Sequence, residues 1–164
     1  MKNKKLLFLN QSAAIAALYV VFTLASNALG LALGPIEVRF SEGLTILPVF
    51  TPAAVPGLYV GCMLANFLVG GNPFDIFLGS LATLIGALGT RYFRKKRLLP
   101  YLCPIAANTL IVTPILFFTY TFVQEAGWGL PLYALIFFAG EALSVFLFGI
   151  IFKQALTPVA DKLK

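Results

Sequence analysis

Uncharged apolar runs, separated by short polar interruptions, set the plan of this chain. From Leu6 to Ile36 no residue is charged, and Gly43 to Pro73 is again uncharged. About 20 apolar residues suffice for a helix to cross a hydrocarbon core roughly 30 Å thick. The first run suits one helix at about 9–29, followed by the small-residue segment NALGLALGP. Pro48, Pro52 and Pro56 punctuate the second run, and prolines break or kink helices. The pattern therefore predicts a short, irregular second helix at about 40–52, a turn at TPAAVP and a third helix at about 55–70. GGNPFD reads as a tight turn before a fourth helix at about 74–93, which stops in RYFRKKR. A fifth helix at about 99–121 contains Pro104 and Pro114, VQEAGWG forms the next loop, and a sixth helix at about 130–155 leads into DKLK.

Composition names the solvent of these helices. Hydrophobic residues make up 60% and charged residues 11% of the 164, with a mean hydropathy of +0.93; soluble domains hold about 25% charged residues. The expected fold class is an all-α integral membrane protein, a bundle of six transmembrane helices forming one domain over residues 1–164. A signal peptide is the competing reading of the N-terminus, but the apolar run exceeds the usual ~7–15 residues of such a segment. Cys62 and Cys103 form no CxxC pair and histidine is absent, so no metal site or other cofactor is expected and both thiols read as small buried hydrophobes.

Charge orients the bundle. With six helices and the N-terminus inside, Lys2, Lys4, Lys5, the Arg91–Arg97 cluster, Lys153, Lys162 and Lys164 all fall on the cytoplasmic side, eleven of the twelve basic residues. Excess Lys and Arg mark cytoplasmic loops, so both termini are expected to be cytoplasmic. That bias already accounts for the 91–97 cluster, and no nucleic-acid partner is expected.

Arg39 is the exception, and it has company. Glu37, Arg39 and Glu42 fall at the outer end of the second helix, Asn66 near the outer end of the third and Asp75 at the outer start of the fourth, with Asn108 and Glu141 nearer mid-membrane. Ionisable groups within a membrane are costly and normally face a cavity or one another, which predicts a polar pocket in the outer half. Structural roles compete. Arg39 and Glu42 have the spacing of a helical ion pair, Asp75 that of a helix cap, and Asn66 and Asn108 suit interhelical bridges. Glu141 has no basic residue within reach on its own helix, so its only structural partner would be Arg39 across the bundle. On the first helix, Ser12 with Ala16 and Ala13 with Ala17 are small pairs four apart, a pattern that lets helices approach closely. Gly79, Thr83, Gly86 and Thr90 form a similar stripe on the fourth, assigned to internal packing. No nucleotide-binding motif appears, and no nucleophile stands beside an evident base, so the chain is not expected to be an enzyme or to hydrolyse ATP.

The stretch GPIEVRFSEGLTILPVFTPAAVPGLYVGCMLANFLVGGNPFDIFLGSLATLIGALGT, continued in PIAANTLIV and GEAL, resembles the QueT family. These are substrate-binding S components of energy-coupling factor (ECF) transporters for queuosine precursors. The resemblance implies a membrane-embedded scaffold subunit and two cytoplasmic ATPases as partners, docking through Ala13 and Ala17, and a location in the bacterial cytoplasmic membrane. It also implies a 7-deazaguanine ligand: queuine or its aminomethyl or nitrile precursors. A guanine-like edge presents an N–H beside an exocyclic amine, which a carboxylate accepts in pairs. Glu141 or Glu42 suits that role; Asn108, Asn66 or Arg39 suits donation to the ring carbonyl; an aminomethyl cation would want a further carboxylate. Phe40, Phe74, Tyr133, Phe137 and Trp128 are candidates to stack on the ring. An S component for another vitamin-like ring compound, an ion-coupled transporter using Glu141 and Asp75 as a relay, and a structural subunit without ligand are the alternative readings.

Overall fold

The structure, a computed structural model, describes residues 2–31, 37–119, 127 and 129–158. Trp128, the end of the predicted fifth helix, and Lys162 and Lys164 lie outside these residues. Five α-helices are present among them: α1 (Lys2–Ala28), α2 (Ala54–Leu68), α3 (Ser80–Tyr92), α4 (Leu99–Thr119) and α5 (Leu130–Leu156). A ten-residue 3-10 helix, Phe40–Val49, lies between α1 and α2, and a π turn, Asp75–Gly79, leads into α3. Counting the π turn with α3, six helical segments are present among the described residues. α1, α4 and α5 are long and apolar enough to cross a membrane. α2 has 15 residues, about 22 Å at 1.5 Å per residue, which is shorter than the ~30 Å hydrocarbon core.

The 3-10 helix sits in the middle and touches all five α-helices. Its tight winding follows from its sequence. Pro48 cannot donate the backbone bond of a regular α-helix, and the Thr45 hydroxyl folds back onto the Glu42 carbonyl at 2.5 Å, a local bond that competes with helical pairing. Ser41 to Pro48 are all buried. Neighbouring helices hold its entry. Phe40 N–H donates to Ser26 Oγ of α1 at 2.8 Å, and Arg39 N–H to Ser144 Oγ of α5 at 3.1 Å. Gly140 of α5 makes room for this path: a Cβ there would stand 2.5 Å from the Glu37 carbonyl oxygen.

Small residues let α1 and α2 approach closely. A Cβ on Gly57 would meet the Ser12 carbonyl oxygen at 2.7 Å, and one on Gly61 would meet Tyr19 Cβ at 2.8 Å and the Ala16 carbonyl oxygen at 2.9 Å. Ser12 and Ala16 therefore spend their small size on α2, and Ser12 Oγ also donates to the Ala53 carbonyl at 2.9 Å. Ala13 and Ala17, one position further round, are exposed. Gly86 likewise seats Pro104, joining α3 to α4. Pro104 lacks the N–H that would bond the Pro100 carbonyl, and Thr90 Oγ1 donates to that oxygen instead at 2.8 Å.

Basic side chains gather where α3 turns into α4 and where α5 ends. Arg91 donates to the Pro48 carbonyl at 3.0 Å, covering the last turn of the 3-10 helix, and Lys153 lies 5.4 Å from the Tyr101 ring centre. Large apolar side chains such as Leu24, Phe67, Leu110, Leu135 and Leu147 are exposed on the outside of the helices, as lipid-facing positions must be.

Candidate functional site

The charged stretch turns inward and lines a small, partly open cavity. Arg39 and Glu42 arrive from the 3-10 helix and its entry, Asn66 from α2, Asp75 from the π turn, Asn108 from α4, and Glu141 and Phe137 from α5. Seven of the twelve candidate binding residues thus share one wall, across five segments that the sequence separates by up to about a hundred positions. Cys62, Gly79, Thr83 and Val112 complete it. The cavity is about 10 Å³, room for about one water molecule, so a ring-sized ligand enters only as these side chains move apart.

The acidic pair is the centre of the arrangement. Asn108 Nδ2 donates to Glu42 Oε2 at 3.2 Å and to Glu141 Oε2 at 3.3 Å, joining the two carboxylates through one amide. Tyr19 Oη donates to Glu42 Oε1 at 2.5 Å, so both oxygens of Glu42 are held. Glu141 keeps Oε1 without a partner among the described residues. Asn108 Oδ1 and Arg39 Nε are also buried without one. Buried polar atoms are normally satisfied, and unmatched ones around a cavity are positions a ligand can complete.

Arg39 pairs with Glu37 at 2.8 Å and donates to Asn66 Oδ1 at 3.5 Å. It pairs neither with Glu42, three residues on, nor with Glu141. The helical spacing does not apply because Arg39 precedes the 3-10 helix in extended backbone, with φ −111° and ψ 119°. Asn66 Nδ2 in turn donates to the Asp75 carbonyl at 3.3 Å, tying α2 to the π turn. Asp75 is not the helix cap. Asn72 takes that place, its Oδ1 accepting from Phe74 N–H at 2.8 Å, and the Asp75 carboxylate is left for the cavity.

Other expected positions lie elsewhere. Glu37 holds Arg39 but does not line the cavity. Phe40 packs edge-on against Phe148 with ring centres 4.8 Å apart, Tyr133 lies against Phe117 and Phe137, and Phe74 is 63% exposed. Phe137 is thus the one predicted aromatic on the cavity wall among the described residues. Cys62 is a free, buried thiol in the apolar core with Ile15, Leu58 and Ala65, as expected, but it also has polar neighbours. Its sulfur accepts from Thr83 Oγ1 at 3.3 Å and from Asn66 Nδ2 at 3.7 Å, and Gly79 and Thr83 belong to the cavity, not only to helix packing. Tyr19 was not a candidate at all. Its signal is the spacing of Tyr19, Thr23 and Ser26, one face of α1 at intervals of four and three, each bonded toward the 3-10 helix or its entry.

Helices of membrane length with apolar exteriors, enclosing charged groups that converge on one interior site, define a multi-pass membrane transport protein. The chain belongs to the QueT transporter family, which it matches over residues 9–158, and is a multi-pass protein of the bacterial cell membrane. The queuosine precursor transporter QueT of Lactococcus lactis subsp. cremoris (strain MG1363) is 34% identical over 85 residues, 52% of this chain and 50% of that protein. The matched stretch spans about half the length of that curated relative. No solved structure matches the chain.

Proposed function

We propose that this protein is the substrate-binding membrane subunit of an ECF-type importer, and that its ligand is a 7-deazaguanine precursor of queuosine. The observation that carries the reading is the pair Glu42 and Glu141, clasped by Asn108 on the wall of a small cavity. The unmatched atoms around them complement a free deazaguanine base. Glu141 Oε1 and Asn108 Oδ1 offer acceptors for the ring N–H groups and exocyclic amine. Arg39 Nε offers a donor for the ring carbonyl, and Phe137 an apolar face for the ring. The relative's name supports the substrate class.

In this reading six segments span the membrane with both termini cytoplasmic, and the energy comes from a scaffold subunit and two ATPases outside this chain. The exposed Ala13–Ala17 face of α1 is the surface against which the scaffold packs, whereas Ser12 and Ala16 hold α2. The test is ligand-shift thermal melting of the detergent-purified protein against queuine, its aminomethyl and nitrile precursors, guanine, riboflavin and thiamine. Stabilisation by deazaguanines alone is expected, without ATP or partners. Accumulation of substrate by proteoliposomes holding only this protein under a proton gradient would replace this reading with an ion-coupled transporter.

A further inference from the structure

The carboxylates of the cavity outnumber its cations. Arg39 is the single guanidinium on the wall, and Glu37 already takes its charge in the one ion pair among the described residues. Glu42 is held by Tyr19 and Asn108, and Glu141 by Asn108. Asp75 feels Arg39 through space but makes no ion pair with it. It is 4% exposed, lines the cavity, and its carboxylate accepts no hydrogen bond among the described residues.

The local structure delivers that carboxylate to the cavity and relieves it of other duties. Asn72 caps the helix in its place, and Asn66 holds the Asp75 backbone carbonyl. The π turn widens the backbone at Asp75–Gly79; such turns occur often at functional sites. Gly79 leaves the space the carboxylate occupies, since a Cβ there would stand 2.6 Å from Asp75 Oδ1. A second feature points to a missing partner in the same cavity: Asn108, 4% exposed, has its Oδ1 buried and unbonded.

We propose that the site selects a cationic ligand, with Asp75 receiving an ammonium carried by the deazaguanine while Glu141 and Asn108 read the neutral ring edge. This rests on the deazaguanine reading above. Arg39 is shared among several carboxylates and pairs directly with Glu37; a buried carboxylate without an ion-pair partner of its own is costly, and a ligand bringing its own ammonium offsets that cost at the moment of binding. A neutral analogue of the same size leaves Asp75 desolvated and unpaired. Sites built to pair a polar group reject analogues that lack it more strongly than they reject a change of shape.

The test compares three probes on the purified full chain by calorimetric titration: 7-aminomethyl-, 7-hydroxymethyl- and 7-cyano-7-deazaguanine. The hydroxymethyl compound is nearly the shape of the aminomethyl one but carries no charge. Wild-type protein is expected to bind the aminomethyl compound at least about 10-fold more tightly than either neutral one, in line with the loss of a charge-assisted bond. Asp75→Asn should weaken the aminomethyl compound by about 10- to 100-fold and the hydroxymethyl compound by less than about 3-fold, bringing the two together. Equal binding of charged and neutral probes by wild type, or equal weakening of both by Asp75→Asn, overturns the inference while leaving the deazaguanine reading intact. Binding of none of the three overturns that reading instead. Thermal melting reports folding, and if Asp75→Asn fails to fold, Asp75→Ser serves the same comparison beside the wild-type result, which needs no variant.

Discussion

Tyr19→Phe removes one oxygen atom and leaves the ring that packs against α2. In the wild type Tyr19 is 1% and Glu42 2% exposed, and the hydroxyl donates to Glu42 Oε1 at 2.5 Å. A hydrogen bond to a charged group contributes about 1.5–3 kcal/mol, and an acceptor left buried and unpaired costs a similar amount. Asn108 still holds Oε2, so the loss falls on one oxygen, and a destabilisation of about 2 kcal/mol is expected. Released from one side, Glu42 no longer fixes the Asn108 amide it shares with Glu141, so ligand affinity should fall by about 10-fold. Unfolding in mixed detergents measures the first quantity and calorimetric titration the second, with Tyr92→Phe, at an 80% exposed tyrosine, as the unchanged control. In a Glu42→Gln background the effect of Tyr19→Phe should shrink by about 1 kcal/mol or more, since the acceptor is then neutral. If Tyr19→Phe matches wild type in both stability and affinity, the hydroxyl does not hold Glu42 and the argument for α1 as part of the site fails.

Three further outcomes follow from the same geometry. Glu141→Gln can keep its bond to Asn108 but turns an amine toward the cavity, so one ligand N–H faces a donor; titration should show about a 10- to 100-fold loss, and Glu37→Gln a smaller one. Ala13→Trp or Ala17→Trp, on the exposed side of α1, should abolish cellular uptake while purified protein binds ligand as wild type; lost binding would show that these alanines serve the bundle itself. Thr90→Val strips the donor from the Pro100 carbonyl and should cost about 1–2 kcal/mol of stability with affinity unchanged, because the bond lies away from the cavity.

The positions of the helical segments were largely legible because solvent writes them into the chain. Five of the six predicted starts fall within two residues of those observed; α1 begins earlier, at Lys2 rather than about residue 9, since lysine is a good helix former and the basic start continues the helix. The winding of the second segment was legible only as irregularity, since prolines forbid a regular helix without saying what replaces it. In the site, charge drew attention to Glu42, Arg39, Asp75 and Glu141 because burying charge in a membrane needs a reason. Their pairing was not legible. Arg39 turned to Glu37 because its backbone is extended, and Asn108 became the bridge because α4 and α5 face the 3-10 helix together. Tyr19 and Cys62 were passed over because their side chains count as apolar although each carries a polar atom.

The 3-10 segment and its entry rest on α5, where Arg39 meets Ser144 from 105 residues away in the chain. Synthesis at about 5–20 residues per second separates the two by roughly 5–20 s. During that interval Glu37 and Arg39 have each other and Glu42 has Tyr19 of α1, but the contacts from α4 and α5 are missing, and a charge costs about 2.5–3.5 kcal/mol at the centre of an inserting helix. The segment is therefore expected to be unfavourable in the bilayer until those contacts form. The expectation is that it seats only once α5 is complete, although it is second in the chain. A nascent chain halted before Ser144 should leave a cysteine placed at residue 44 open to water-soluble thiol reagents, and the same cysteine should become protected once α5 is complete.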